Sequence, residues 1–403
     1  MIRRNVLVAA AAVSGCASIL ACATFPSAAE VGPGEALVAC AKQQVAQNAF
    51  SGVLLVAERG RPTAQFSYGV ADPVTRRPIT HDTQFNLASL GKMFTAVAIG
   101  QLVDRGKVRF EDPVGRHLTG LTPEVAAVTI DQLLTHRSGL GDYVRIENRE
   151  AIHAATTAQD LLLIATAGGL HFPPGSKQSY SNSGYAVLGA VIEAATGVTY
   201  ADYIRDNVLK PAGMESTTLD GSDRRAVAMT SMRPGGGPPA AGAPRRPAPT
   251  IGGSRASPAG GAVSTAGDLV RFGEALRLHR LVSKSVLDRL WAPHGGSGTR
   301  AGAVASYGYG FTRVDGGADY AVGHGGGSLG TNAHFDFYPE SARSVVILSN
   351  FDPPAATTLI DASRRAFLHE MALTALCGKS EGSLASDAVP STGELPRVAA
   401  TER

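Results

Sequence analysis

The chain has 403 residues, 44% of them hydrophobic and 18% charged, which suits one large domain or two modest ones. The net charge of +3 comes from basic residues scattered along the chain, so no basic tract marks a nucleic-acid binder. Ten histidines without His-Glu-x-x-His spacing or a Cys/His cluster give a metal site little support, and no sequence feature asks for a cofactor.

The first residues, Met1 to Asn5, are basic, Val6 to Val13 is a short apolar run, and Ser27-Ala28-Ala29 offers small residues before Glu30. This pattern predicts a secretory signal peptide over residues 1–29 and a periplasmic or secreted product. The apolar run is too short to span a bilayer, and no later stretch reaches the roughly 18 apolar residues that a transmembrane helix needs. A second reading is a lipoprotein anchored through Cys16, because Val13-Ser14-Gly15-Cys16 resembles a lipobox. Cleavage near residue 29 leaves Cys40 and Cys377, two thiols that an oxidising compartment invites to pair; the alternative is two unrelated buried thiols.

Residues 35–49 carry apolar side chains at helical spacing, and 51–58 (SGVLLVAE) reads as a buried strand. Residues 62–70 read as its hairpin partner across Arg59-Gly60-Arg61. From Phe85 the period returns to helical, with Leu90, Met93, Phe94, Val97, Ala98, Leu102 and Val103 as an apolar set and Gly106 as a stop. Further helices are predicted over 129–135, 158–166, 184–196 and 200–209. Residues 233–261 hold seven Pro and eight Gly, a composition that predicts a flexible loop crossing the surface or partly covering a site. Thr265-Ala-Gly-Asp268 resembles a capping box before a helix over 269–278, and 283–291 is another short helix. Strands are predicted over 307–314, 320–324, 333–338 and 344–349, then a helix over 355–376 and a disordered tail over 379–403. Strands thus open and close the chain while helices fill its middle. That order implies an α+β fold: an antiparallel sheet built from both ends, flanked by N- and C-terminal helices, with a mainly helical subdomain inserted. A cleft between the two parts is the natural place for a small-molecule site.

Three stretches carry chemistry. Ser89 and Lys92 stand three apart near a helix start, a hydroxyl beside a candidate base, with first-turn amides available to an oxyanion. Of seven lysines only Lys92 has Ser three before it, and taken alone the pair also fits a capped helix with a solvated Lys. Tyr180-Ser181-Asn182 precedes a helix, so Tyr180 and Asn182 can share one cleft; Tyr180 is a proton shuttle if a nearby cation lowers its pKa. His324-Gly325-Gly326-Gly327 ends a predicted strand, where glycines admit a substrate backbone. A Gly-x-Ser-x-Gly pattern at Gly326–Gly330 is a decoy, since a strand rather than a helix follows it and Ser328 lacks a nucleophile's setting. His136, His334 and Asp268 read as structural.

In this order the three stretches resemble the serine β-lactamase and penicillin-binding-protein-like hydrolases, above all the branch holding class C β-lactamases, D-Ala-D-Ala carboxypeptidases, D-aminopeptidases and β-lactamase-like esterases. Ser-x-x-Lys falls on Ser89-Leu90-Gly91-Lys92, Tyr-x-Asn on Tyr180-Ser181-Asn182, and the Lys-Thr-Gly or His-x-Gly motif on His324-Gly325-Gly326. LLTHRSGL (133–140), PAGMESTTL (211–219), PAGGAVSTAGDLVRF (258–272) and YGYGF (307–311) share the likeness, which runs from about residue 35 to 376. The resemblance implies a β-lactamase/transpeptidase-like fold and hydrolysis of a small ester, amide or peptide through an acyl-enzyme, with no metal or cofactor. Cell-wall carboxypeptidase, β-lactamase and a non-catalytic binder of cell-wall peptides or partner proteins are the rival expectations. It further implies Ser89 as nucleophile, Lys92 as base, Tyr180 as proton relay and Asn182 as the group orienting Lys92 or the substrate amide. The oxyanion hole is expected at the amides of Ser89 and Gly327, with His324 giving a hydrogen bond or partial charge near Tyr180. The likeness packs the first and last helices together, which would bring Cys40 and Cys377 within bridging distance. Gly325 departs from the family pattern by lacking a Thr hydroxyl for a substrate carboxylate, and Gly325→Thr is expected to raise the β-lactam rate relative to the ester rate.

Overall fold

A computed structural model describes residues 32–144, 146–232, 243–249, 255–317 and 319–369. The expected signal peptide, Cys16, Cys377 and the tail over 379–403 lie outside these residues. Helix α1 (Pro33–Ala46) starts on a proline, whose fixed φ suits a first turn. Strands β1 (Gly52–Glu58) and β2 (Arg61–Tyr68) are joined by Arg59 and Gly60 at φ +48° and +76°, the two positive values that a tight hairpin turn requires.

A 3₁₀ turn, Ala88–Gly91, leads into α2 (Lys92–Asp104). The sequence showed an apolar face here; the structure buries every residue from Lys92 to Leu102, so α2 runs through the middle of the helical layer. Its end matches expectation, with Gly106 at φ +65° and the Lys107 amide donating to the Leu102 carbonyl at 2.9 Å. Helices α3 (Ile130–Leu134), α4 (Ala158–Thr166), α5 (Asn182–Thr196) and α6 (Tyr200–Ile204) follow. The helix predicted to run to Leu209 passes instead into a π turn over Arg205–Leu209. Helices α7 (Ala266–Arg277) and α8 (Lys284–Trp291) complete this layer. Thr265 caps α7 by accepting from the Asp268 amide, but the Asp268 carboxylate turns to the Ser216 amide and Thr217 hydroxyl, so the expected box is one-sided.

The rest of the sheet is β3 (Gly295–Arg300), β4 (Ala303–Tyr307), β5 (Thr312–Gly316), β6 (Asp319–Ser328), β7 (Thr331–Tyr338) and β8 (Arg343–Ser349), followed by α9 (Ala355–Leu368). The order is β2-β1-β8-β7-β6-β5-β4-β3, antiparallel throughout. The strand read over 307–314 is two strands. The chain turns at Gly308–Phe311, where Gly310 has φ +74° and the Gly308 amide donates to the Phe311 carbonyl. Strand β3 escaped the sequence reading because four of its six residues are Gly or Ser and only Thr299 is of a strand-favouring type.

Both faces of the sheet are covered, so β1 is buried along nearly its whole length. Val53 and Leu55 face the helical layer with Phe94, Phe272, Phe335 and Phe337, while Leu54 and Val56 face α1 and α9 with Leu37, Ile347 and Ile360. Arg364 of α9 is 2% exposed and Asp336 of β7 is 1% exposed; Arg364 Nε and Nη2 donate to the two carboxylate oxygens at 2.7 and 2.9 Å, pinning α9 to the sheet. Cys40, buried in α1, is disulfide-bonded.

Part of the Gly/Pro-rich stretch is ordered, unlike the loop expected there. Arg246–Pro247 pairs with Met229–Thr230, and Ser257 and Gly260 exchange backbone hydrogen bonds in a tight turn. Pro258 and Ala259 at its centre are buried, and Ser257 Oγ accepts from the Tyr143 hydroxyl and the Ala259 amide, long-range contacts of which local apolar patterning gave no sign.

Candidate active site

Ser89 sits on the 3₁₀ turn immediately before α2, against the end of β6. Three backbones converge on it, and only glycine permits the contacts. A Cβ on Gly326 of β6 would lie 2.1 Å from the Leu87 carbonyl oxygen, and one on Gly260 would lie 2.2 Å from the Ala88 carbonyl oxygen. Ala88 itself takes φ +44°, held by its amide's bond to Asn86 Oδ1 at 2.7 Å and by the Gly261 amide donating to its carbonyl at 2.9 Å. A non-glycine residue in that region stores local strain beside the serine.

The Tyr180 hydroxyl donates to Ser89 Oγ at 2.7 Å, and Lys92 Nζ lies 3.3 Å from the same oxygen. Lys92 is fully buried; its other two bonds go to Asn182 Oδ1 and the Ala259 carbonyl, each at 2.7 Å. Burial pulls its pKa from 10.5 down to about 7, partly offset by the nearby charge of Asp142. The second motif is arranged by the start of α5. Ser181 caps the helix by accepting from the Gly184 amide and anchors the turn by donating to the Gly141 carbonyl at 2.6 Å. Asn182, the first residue of α5, accepts from Lys92 and donates from Nδ2 to Asp142 at 2.8 Å. Both ends of its amide are thus engaged within the protein, one on Lys92 and one on Asp142. Burial raises the Tyr180 pKa above its ordinary value despite the Ser89 bond, opposite to the lowering foreseen from a nearby cation. Lys92 Nζ faces the Tyr180 ring at 4.7 Å.

His324 is buried on β6. Its Nε2 is 3.0 Å from the Tyr307 hydroxyl, and its Nδ1 faces the Gly325 carbonyl. Among the described residues its ring nitrogens thus engage Tyr307 and Gly325 rather than Tyr180, and burial lowers its pKa to about 3, so it is uncharged at neutral pH. Gly325 pairs across the strands with His334, whose ring atom Cε1 would lie 2.8 Å from an added Cβ. Gly326 abuts Ser89, and Gly327 follows it as an exposed residue. Strand β5 pairs with β6 only as far as Gly323, whereas β7 pairs with it through Ser328. Residues 324–328 therefore have a sheet neighbour on one side only, beside Ser89. Ser328 ends β6 at the hairpin to β7, in agreement with its reading as a decoy.

The beta-lactamase family profile matches residues 37–370. The chain belongs to the beta-lactamase family. It is 30% identical over 315 residues to "Penicillin-binding protein 4" of Amycolatopsis lactamdurans, covering 71% of this chain and 77% of that one. It is 38% identical over 174 residues to "Penicillin-binding protein 4*" of Bacillus subtilis (strain 168), a match that covers 42% of this chain and only 38% of that relative. "Esterase EstB" of Burkholderia gladioli is 37% identical over 179 residues, 40% of this chain and 45% of the esterase. Among solved structures, a penicillin-binding protein from Bacillus halodurans matches with TM-score 0.69 and 28% identity over 81% of this chain and 98% of that one. A D-amino acid amidase from Ochrobactrum anthropi SV3, complexed with D-phenylalanine, matches with TM-score 0.70 and 26% identity over 84% of this chain and 99% of that one. The fold is the β-lactamase/transpeptidase-like fold expected from the motifs.

Sequence reasoning missed three parts of this beta-lactamase-family site. Asp142 lies two residues past the LLTHRSGL stretch, and its role depends on a contact with Asn182 that no local pattern reveals. His136, read as structural, stacks its ring 4.3 Å from that of Tyr180 and takes the Ser181 amide on Nδ1 at 3.2 Å. The carbonyl of Ala259 carries no side-chain signature at all. The only available hint was the Gly260-Gly261 pair beside it.

Proposed function

We propose that the protein is an exported serine hydrolase that cleaves esters or small amides through an acyl-enzyme on Ser89. One observation carries this reading: Ser89 Oγ is bonded at once by the Tyr180 hydroxyl and by a buried lysine whose pKa is about 7. A neutral Lys92 keeps two N–H bonds, to Asn182 and Ala259, and turns its lone pair to Ser89. The serine proton then passes to Nζ as Oγ bonds the carbonyl carbon. Collapse of the adduct breaks the bond to the leaving group, which takes a proton from Tyr180; Lys92 returns one to Tyr180. Water repeats the sequence to release the acid and restore Ser89. The amides of Ser89 and Gly327 are the proposed donors to the developing oxyanion.

The substrate class follows from the third motif. His324 is uncharged and both its nitrogens are engaged, and the Cβ direction of Gly325 is filled by His334. A substrate neutral beside its scissile bond is favoured over one carrying a carboxylate there, as β-lactams and D-Ala-D-Ala peptides do. The names of the esterase and the D-amino acid amidase agree with ester and amide chemistry. Export rests on the basic and apolar start of the chain. Among the described residues no helix is long and apolar enough to cross a membrane. The test is a fluorophosphonate label traced by peptide mass spectrometry, with aryl esters, D-amino acid amides and nitrocefin compared on the same preparation. Label on Ser89 is expected; label elsewhere overturns the assignment. The N-terminal residue of the exported protein separates cleavage near residue 29 from a lipid-modified Cys16.

A further inference from the structure

His136, Tyr307 and His324 come from three separate parts of the chain and meet behind the catalytic groups. His136 Nε2 lies 3.1 Å from the Tyr307 hydroxyl, which lies 3.0 Å from His324 Nε2. Both ends of this chain are fixed by backbone. The Ser181 amide can only donate, so His136 Nδ1 must be unprotonated and the ring must carry its proton on Nε2. That Nε2–H donates to the Tyr307 oxygen. At the other end the Gly325 carbonyl can only accept, so His324 carries its proton on Nδ1. His324 Nε2 is then an acceptor, and the Tyr307 hydroxyl is the donor it needs. Tyr185 supplies no competing donor to the Tyr307 oxygen, because its own hydroxyl donates to the Leu134 carbonyl at 3.0 Å; its oxygen is a second acceptor beside the Tyr307 hydroxyl, whose bond to His324 Nε2 is 3.0 Å.

We infer that His136, Tyr307 and His324 form a one-way hydrogen-bond chain from the Ser181 amide to the Gly325 carbonyl. It sets the Tyr180 ring against Ser89 and holds His324 turned onto its own strand, away from substrate. His136 is the link to Tyr180: its ring is 4.3 Å from the Tyr180 ring, 5.3 Å from Tyr185 and 4.9 Å from Tyr307. A side chain packed among three aromatic rings and bonded at both nitrogens has one orientation available to it. His136 and Tyr307 are therefore positioning residues. They act through Tyr180 and His324 and do not touch the reacting atoms.

The test has two arms. Nitrogen-15 NMR of histidine-labelled protein, with signals assigned by single variants, reads the tautomers directly and does not depend on the proposed activity. The expected result is Nε2–H for His136 and Nδ1–H for His324; Nε2–H on His324 overturns the inference. The kinetic arm rests on the proposed hydrolysis and uses a short-chain aryl ester. Tyr307→Phe is expected to lower kcat by about tenfold to a hundredfold, the usual cost of a small misplacement, with KM within about twofold. His136→Gln, which can still offer an N–H to Tyr307, is expected to keep most of the activity that His136→Leu loses. Unchanged kcat in Tyr307→Phe, or equal losses in the Gln and Leu variants at matched melting temperatures, would show a merely structural role.

Discussion

The Tyr180 hydroxyl donates to Ser89 Oγ across 2.7 Å, from a phenol whose pKa burial has raised. In the proposed mechanism Tyr180 therefore acts as a proton donor, leaving base work to Lys92. Tyr180→Phe is expected to lower kcat on an aryl ester by about two to four orders of magnitude, the range for a lost general acid–base group. Ser89→Ala should abolish the pre-steady-state burst at an unchanged melting temperature. A Tyr180→Phe loss below tenfold would move proton delivery to Lys92 or water.

The pH profile follows from Lys92. Only its neutral form can take the serine proton, and its pKa is about 7, so kcat/KM should fall on the acid side of pH 7. The charge of Asp142 favours the ammonium form and so raises this pKa. Asp142→Asn removes that charge while keeping an oxygen for Asn182 Nδ2, so the acid limb should move to lower pH. A limb that moves to higher pH, or stays fixed, would assign it to another group.

Much of the fold and of the candidate site is legible in the sequence. The sheet strands alternate or run apolar, and Ser89, Lys92, Tyr180 and His324 stand in recognisable motifs. What escaped the sequence was carried by backbone or by distant pairing. The Ala259 carbonyl bonds Lys92 from 167 residues away, and Tyr307 joins His136 across 171. Strand β3 lacks a period-2 pattern. The shifts at Lys92 and Tyr180 arise from burial, which composition around a motif does not encode.

The Arg364–Asp336 pair gives a stability prediction. Arg364→Ala leaves a buried carboxylate without its two charge-assisted bonds, which typically costs about 3–5 kcal/mol. Urea unfolding should show this loss, and the Arg364→Ala/Asp336→Ala double variant should be less destabilised than the single effects summed. A loss under about 1 kcal/mol would mean that water enters and solvates Asp336.

The last prediction concerns substrate choice and corrects the simplest test of it. Gly325→Thr alone was the natural way to restore a carboxylate-binding hydroxyl. The structure puts the new Cβ 2.8 Å from His334 Cε1, on a ring that is buried and bonded through Nε2 to Thr357. Overpacking of this kind typically costs about 1–3 kcal/mol, so the single variant should lose stability before it gains any β-lactam turnover. Gly325→Thr with His334→Ala removes the collision and is the informative protein. In the unmodified enzyme, kcat/KM for nitrocefin should fall well below that for p-nitrophenyl butyrate, because His324 is uncharged and engaged at both nitrogens. The double variant should raise that ratio at a melting temperature above that of Gly325→Thr. A ratio above one in the unmodified enzyme would mean that a group other than His324 and Gly325 binds the carboxylate.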